Sequence, residues 1–191
     1  KKLNIMRMVK KNKNIAIFCG SKLGHNTIYK KEISIMTTML SDNGFNIIYG
    51  GGKIGLMGVI NKIYTKLNSN IIGIIPKFLN KPEIRQKNLE TLQVVNTLHQ
   101  RKILMIKKAD IFIILPGGFG TLDELFEILT LNQLNLCDKK VIIFNISNYW
   151  KNLKLLIKTM HKEGFLYGQD INNIIWVNNN NHLEKILNKS N

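Results

Sequence analysis

Asp123 and Glu124 stand directly behind a glycine turn, Pro116-Gly117-Gly118-Phe119-Gly120-Thr121. Carboxylates beside bare backbone suit chemistry on an anionic ligand. Glycine lets the main chain approach a ligand where a Cβ would collide. A helix starting at such a turn offers unpaired N–H groups and the positive end of its dipole, which together suit a phosphate. The stretch is therefore expected to hold an anionic group, with Asp123 and Glu124 beside it. The competing reading is a capping box over Thr121-Leu122-Asp123-Glu124, in which Glu124 only ties back to a backbone N–H. Against it, Asp123, Glu124 and Glu127 crowd into one short stretch of a chain with only 12 acidic residues.

A second glycine turn, Gly50-Gly51-Gly52-Lys53-Ile54-Gly55, has the G-x-G-x-x-G spacing. A dinucleotide site needs an acid about 20 residues further on for the ribose. None occurs between Asp42 and Glu83, which argues against NAD or FAD, and no Gly-Lys-Ser/Thr completes a P-loop. The turn fits a single phosphate, with Gly51 and Gly52 in contact, or simply a tight strand–helix connection. Arginine occurs only at positions 7, 85 and 101 among 28 basic residues. Where lysine is the default cation, Arg101 suggests a need for a planar fork toward a phosphate, carboxylate or purine edge. A solvated helix face is the plain alternative. Glu83, alone in a basic loop, reads first as a surface charge. His25, His99, His161 and His182 have no metal-ligand spacing, so no metal is expected.

Short apolar runs position these residues. Strands are expected over 14–19, 45–49, 70–75, 92–95, 110–115, 140–145 and 174–177. Helical patterns cover 27–41, 55–67, 98–108, 122–136, 149–162 and 182–188. Near-continuous apolar strands alternating with helices predict an α/β fold: a doubly wound, mostly parallel sheet covered on both faces. Such sheets bind ligands at the carboxyl ends of their strands. That rule selects three turns: the one holding Ser21, the one at Gly50–Lys53, and 116–124. The irregular connection over 77–88 suits a lid or substrate loop.

The net charge of +16 permits nucleic-acid binding. The lysines are scattered and no aromatics interleave with them, so no nucleic-acid partner is expected. No apolar run is long enough to span a bilayer, so no membrane partner is expected either. The N-terminus is basic without an apolar core, and residues 1–13 read as a disordered tail ahead of one nucleotide-binding domain over 14–191. Cys19 and Cys137 are expected to be buried thiols in a reduced, cytoplasmic setting.

Three motifs together resemble the LONELY GUY family of cytokinin riboside 5′-monophosphate phosphoribohydrolases, also labelled lysine-decarboxylase-like. They are Pro-Gly-Gly-Phe-Gly-Thr-x-x-Glu at 116–124, Gly-Gly-Gly-x-x-Gly-Leu-Met-Gly at 50–58 and His-Gln-Arg-Lys at 99–102. The likeness runs from about residue 14 to 188. It implies a Rossmann-like fold, no cofactor, and hydrolysis of the N-glycosidic bond of an adenine-type nucleoside 5′-monophosphate to free base and ribose 5-phosphate. By resemblance, Arg101 and Glu124 match the catalytic pair. Glu83, Lys102, Gly117, Gly118, Gly120, Thr121 and Asp123 match positions around the nucleotide, and Thr130 is a looser match. A homodimer is expected on the same ground. Nothing marks a Schiff-base lysine with pyridoxal phosphate partners. The alternative is a non-catalytic nucleotide-binding or carrier protein on the same fold.

Overall fold

A computed structural model describes residues 13–85 and 91–189. Among the described residues there are seven strands: β1 (Asn14–Phe18), β2 (Asn46–Tyr49), β3 (Ile71–Pro76), β4 (Leu92–Val95), β5 (Ile111–Ile114), β6 (Lys140–Phe144) and β7 (Ile174–Val177). They form one sheet in the order β4-β3-β2-β1-β5-β6-β7. Every neighbouring pair is parallel. The helices are α1 (Thr27–Asp42), α2 (Gly55–Lys66), α3 (Leu98–Lys108), α4 (Phe119–Gln133), α5 (Lys151–Lys162), α6 (Gly168–Asn172) and α7 (Asn180–Asn188).

The period-2 geometry of a strand sends alternate side chains to opposite layers. In β1, Ile15 and Ile17 join the core under α1, α2 and α7. Ala16 and Phe18 join the core under α3, α4 and α5. All four residues of β5 are buried, as are Val141 through Phe144 of β6. Each such isoleucine, taken out of water, contributes roughly 1.5–3 kcal/mol. That double covering is why these strands carry no polar alternation.

After β1 the chain winds outward through β2, β3 and β4, then returns to pair β5 against β1. The turns after β1 and β5 therefore diverge, and a crevice opens where the winding reverses. The two turns are tied directly, the Gly20 N–H donating to the Pro116 carbonyl at 3.0 Å. The turn after β2 joins them where the Leu56 N–H reaches the Gly20 carbonyl at 3.3 Å. Gly55, at φ +60°, packs so closely on Ser21 that a Cβ there would strike the Ser21 backbone.

Several boundaries differ from the sequence reading. The fourth helix starts at Phe119, not 122, and its N-cap is Gly118. Thr121 is thus already inside the helix, and the capping box over 121–124, the competing reading, does not form. α5 starts at Lys151 because 146–148 makes a 3-10 turn in which Ser147 is left-handed. α7 starts at Asn180, since Asn179 caps it by accepting from the His182 N–H at 2.9 Å. The five-residue α6 was not anticipated. Cys19 is buried, whereas Cys137 is only half-buried, in the connection that follows α4. Most of the expected basic tail, and residues 86–88 of the 77–88 connection, lie outside the described residues. The described part of that connection folds back onto the second glycine turn. Arg85 bridges Gly52, and the Lys53 N–H donates to the Ile84 carbonyl at 2.8 Å.

Candidate active site

Two helices bring the charges together. Thr97 caps α3, its Oγ1 accepting from the Gln100 N–H at 3.1 Å, and the Gln100 side chain accepts from the Asn96 N–H at 2.9 Å. This reciprocal cap fixes the first turn of α3 and hence the exit of Arg101. Glu124 lies in the second turn of α4, facing inward. Arg101 Nη2 meets Glu124 Oε1 at 2.7 Å, with the two side chains only 14% and 7% exposed. The neighbouring residues form a second, outer clasp. Lys102 Nζ sits 3.0 Å from Asp123 Oδ1 and 2.8 Å from Glu127 Oε2. The cluster of three acids noted in the sequence is thus divided between two consecutive cations of α3.

Gly50 makes room for this arrangement. A Cβ there would lie 2.6 Å from Arg101 Nη2 and 2.9 Å from Met57 Sδ. Bare backbone at the end of β2 is what lets the guanidinium sit at the crevice floor. Arg101 Nε is buried with no hydrogen-bond partner, so the fork is not fully committed to Glu124.

Burial dominates the electrostatics of Glu124. Desolvation lifts its carboxyl from 4.5 to about 7; the Arg101 charge pulls it down, and Asp123 pushes it up. Burial wins because water is replaced by the apolar walls of β1 and α3. Near neutral pH the carboxyl is therefore divided between its two protonation states, which suits proton transfer. Cys19, at the end of β1, is held as a neutral thiol by burial, reinforced by the Glu124 charge. Burial alone would lower Lys102, but its hydrogen bonds to Glu127 and Asp123 outweigh this and raise it. It is a fixed ammonium, the opposite of the nucleophilic amine a Schiff base needs.

Arg101 and Glu124 line a cavity of about 350 Å³ together with Ser21, Gly118, Gly120 and Thr121. Gly118 and Gly120 present open space where a Cβ would stand. Gly117 borders the adjoining cavity, also about 350 Å³, against Gly20 and Tyr149. Lys102 and Asp123 stand beside the pair but do not line its cavity. Gly51 and Gly52 serve the turn: Gly51, at φ +72°, packs on Ile75 and Leu92, and Gly52 bridges Arg85. Glu83 is exposed on the segment that folds back over that turn, outside the cavity lining. Thr130 lies nearly two turns further along α4, about 9 Å at 1.5 Å per residue, and lines a separate cavity with Gln133 and Leu166. Cys19, Gly50, Met57, Leu98 and Phe119 line the cleft without having been assigned to the site from the sequence. Only Gly50 carried a usable signal, being the first glycine after the strand.

A doubly wound parallel sheet with a buried Arg–Glu pair at its switch point marks a small-molecule site of the α/β class. A family profile described as "Possible lysine decarboxylase" matches residues 57–187. Cytokinin riboside 5′-monophosphate phosphoribohydrolase LOG1 of Arabidopsis thaliana is 40% identical over 161 residues, covering 84% of this chain and 76% of that protein. A probable enzyme of the same name, LOGL3 of Oryza sativa subsp. japonica, is 38% identical over 81% of this chain and 73% of its own length. This chain belongs to the cytokinin riboside 5′-monophosphate phosphoribohydrolase family. Among solved structures, the molybdenum cofactor binding protein of Rippkaea orientalis superposes with a TM-score of 0.72 at 15% identity, over 94% of this chain and 97% of that one. The molybdenum cofactor carrier protein of Chlamydomonas reinhardtii gives 0.71 at 12% identity, over 94% and 98%. These two share the fold.

Proposed function

We propose that this protein hydrolyses the N-glycosidic bond of an adenine-type nucleoside 5′-monophosphate, a cytokinin nucleotide or AMP. The buried 2.7 Å contact between Arg101 and Glu124, set against a glycine turn with open space at Gly118 and Gly120, carries the reading. In the reaction the bond from C1′ to the purine nitrogen breaks, a water oxygen bonds to C1′, and a proton from that water ends on the base. Positive charge grows on the ribose as the bond stretches. The Glu124 carboxylate stabilises that charge and takes the water's proton. Arg101 stabilises the electron pair leaving with the purine; its very high pKa favours electrostatic help over proton donation. Amides of the Gly118–Gly120 turn and the Thr121 hydroxyl hold the 5′-phosphate at the start of α4. The contact between Arg101 and Glu124 must open as the substrate enters, each group trading its partner for one end of the scissile bond.

Incubating the purified protein with AMP and with isopentenyladenosine 5′-monophosphate tests this. Free base and ribose 5-phosphate are the expected products. Tight nucleotide binding with no base released from either would instead favour a carrier on this fold.

Residues 14–191 act as a single nucleotide-binding unit in this reading, and the unit pairs with a second copy. Support comes from the layer of α3, α4 and α5, which leaves Ile103, Phe119, Leu134 and Leu155 exposed. A monomer in sedimentation equilibrium at micromolar concentration would rule the pairing out. The free thiols at Cys19 and Cys137 support a reducing, cytoplasmic setting. Among the described residues no helix is long and apolar enough to cross a membrane.

A further inference from the structure

The glycine turn at 116–118 has three carbonyls to satisfy, and each has a different partner. The Pro116 carbonyl accepts from the Gly20 N–H at 3.0 Å. The Gly118 carbonyl accepts from the N–H groups of Thr121 and Leu122, at 3.0 and 3.1 Å. The Gly117 carbonyl takes a side chain from far along the sequence, accepting from the Tyr149 hydroxyl at 2.5 Å.

The corner that delivers Tyr149 is braced. Ser147 and Asn148 both hold left-handed backbone, at φ 51° and 59°. Such conformations persist only where the surroundings enforce them. Buried Asn145 does so: its Oδ1 accepts from the Trp150 N–H at 2.8 Å, and its amide donates to Asn148 Oδ1 at 3.3 Å and Asn178 Oδ1 at 3.2 Å. The Tyr149 ring is then held edge-on between Tyr29, 5.7 Å away between centroids, and Trp150, 4.7 Å away.

The peptide held by Tyr149 joins two glycines. A Gly–Gly peptide has no Cβ on either side, so both orientations of its plane are open to it. Because the unit is planar and trans, its carbonyl and N–H point in opposite directions. We infer that Tyr149 is a positioning residue: its hydroxyl pins the Gly117–Gly118 peptide in the orientation that presents the Gly118 N–H to the ligand. Tyr149 lines the two cavities flanking the turn, and Gly118 lines both of these and also the one holding Arg101 and Glu124. The Gly118 N–H therefore leaves the turn on the side away from the Tyr149 hydroxyl. A flipped peptide would turn the Gly117 carbonyl oxygen, a partial negative charge, toward that side. The consequence for anion binding rests on the function proposed above; the pinning itself does not.

Tyr149→Phe keeps the ring between Tyr29 and Trp150 and removes only the hydroxyl. In 15N-labelled protein the Gly118 amide signal is expected to shift or split in this variant, while that of the remote Gly164 stays put. For a nucleoside 5′-monophosphate, KM is expected to rise about tenfold, with kcat changed less than about threefold, the scale of one hydrogen bond to a charged group. The inhibition constant of ribose 5-phosphate should rise in parallel. An unchanged Gly118 amide overturns the pin. A changed amide with wild-type KM and inhibition constant overturns its role in holding the phosphate. Should the wild-type protein release no base, the proposed function falls, and the amide signal alone decides the pin.

Discussion

At the scale of single residues, Glu124 decides the most. Glu124→Gln keeps the shape and removes the ionisation, so turnover should fall by about 10²-fold or more, with circular dichroism unchanged. Normal hydrolysis by this variant would remove Glu124 from the mechanism. The pH profile carries the same information. With the carboxyl raised to about 7, and the carboxylate as the working form, kcat/KM should lose activity on the acid side near pH 7 rather than near 4.5. Asp123→Asn removes a neighbouring negative charge, so this acid limb should move to lower pH. A limb that stays in place would show that another group sets it. Stability follows the opposite sense. A carboxyl raised by folding stabilises the native state below its unfolded value, and that contribution is lost as pH rises through about 7. It amounts to on the order of 3 kcal/mol for a shift of this size. The importance of Arg101 was legible as a rare arginine in a lysine-rich chain. The partner of each cation was not, because the pairing of 101 with 124 depends on how α3 and α4 dock, which spacing along the chain does not encode.

Among the elements, the glycine turns divide into those that clear space for protein and those that clear space for ligand. Gly50→Ala would drive a methyl into the Arg101 guanidinium and Met57. It should cost turnover at least tenfold by displacing the fork, the usual penalty for misplacing a catalytic group. Gly118→Ala meets no protein atom within 4 Å. It should melt like the wild type and lose mainly affinity for the phosphorylated substrate. Equal effects of the two on kcat and KM would contradict that division. The strands were readable because isoleucine runs buried on both faces leave no ambiguity of period. The start of α4 was not, because Pro-Gly-Gly-Phe-Gly is poor in helix formers, yet Phe119 and Gly120 are helical. That three-residue error gave Glu124 an apparent capping role, whereas the true cap at Gly118 turns it inward. α6 escaped notice because five residues are too few to show a helical period, and the spacing of Gly51 and Gly52 did not show that their turn is held by Ile75, Leu92 and Arg85.

For the whole molecule, the parallel direction of the strands followed from their apolar character and the strand–helix alternation, and the ligand turns followed from the rule that such sheets bind at the carboxyl ends of their strands; the strand order itself was not legible. The charge acts at this scale too. A field from +16 charges attracts a phosphate dianion over distances that salt screens, with a Debye length of about 10 Å at 0.1 M. Raising the ionic strength from about 0.02 to 0.5 M should lower kcat/KM several-fold for a nucleoside 5′-monophosphate and leave any reaction of the uncharged nucleoside unaffected. Equal sensitivity of the two would show that the field plays no part in capture. The doubly covered sheet has a further consequence, which concerns the chain before it folds. Ile-Phe-Ile-Ile-Leu at 111–115 and Val-Ile-Ile-Phe at 141–144 are uncharged, proline-free and β-prone, the composition of segments that stack between chains into fibrils. Lys107 and Lys108 stand just ahead of the first run, and Lys139 and Lys140 ahead of the second, as gatekeepers whose repulsion keeps neighbouring chains apart. Refolding from denaturant should therefore give high yield in dilute buffer and lose protein to thioflavin-binding aggregates as salt masks those lysines.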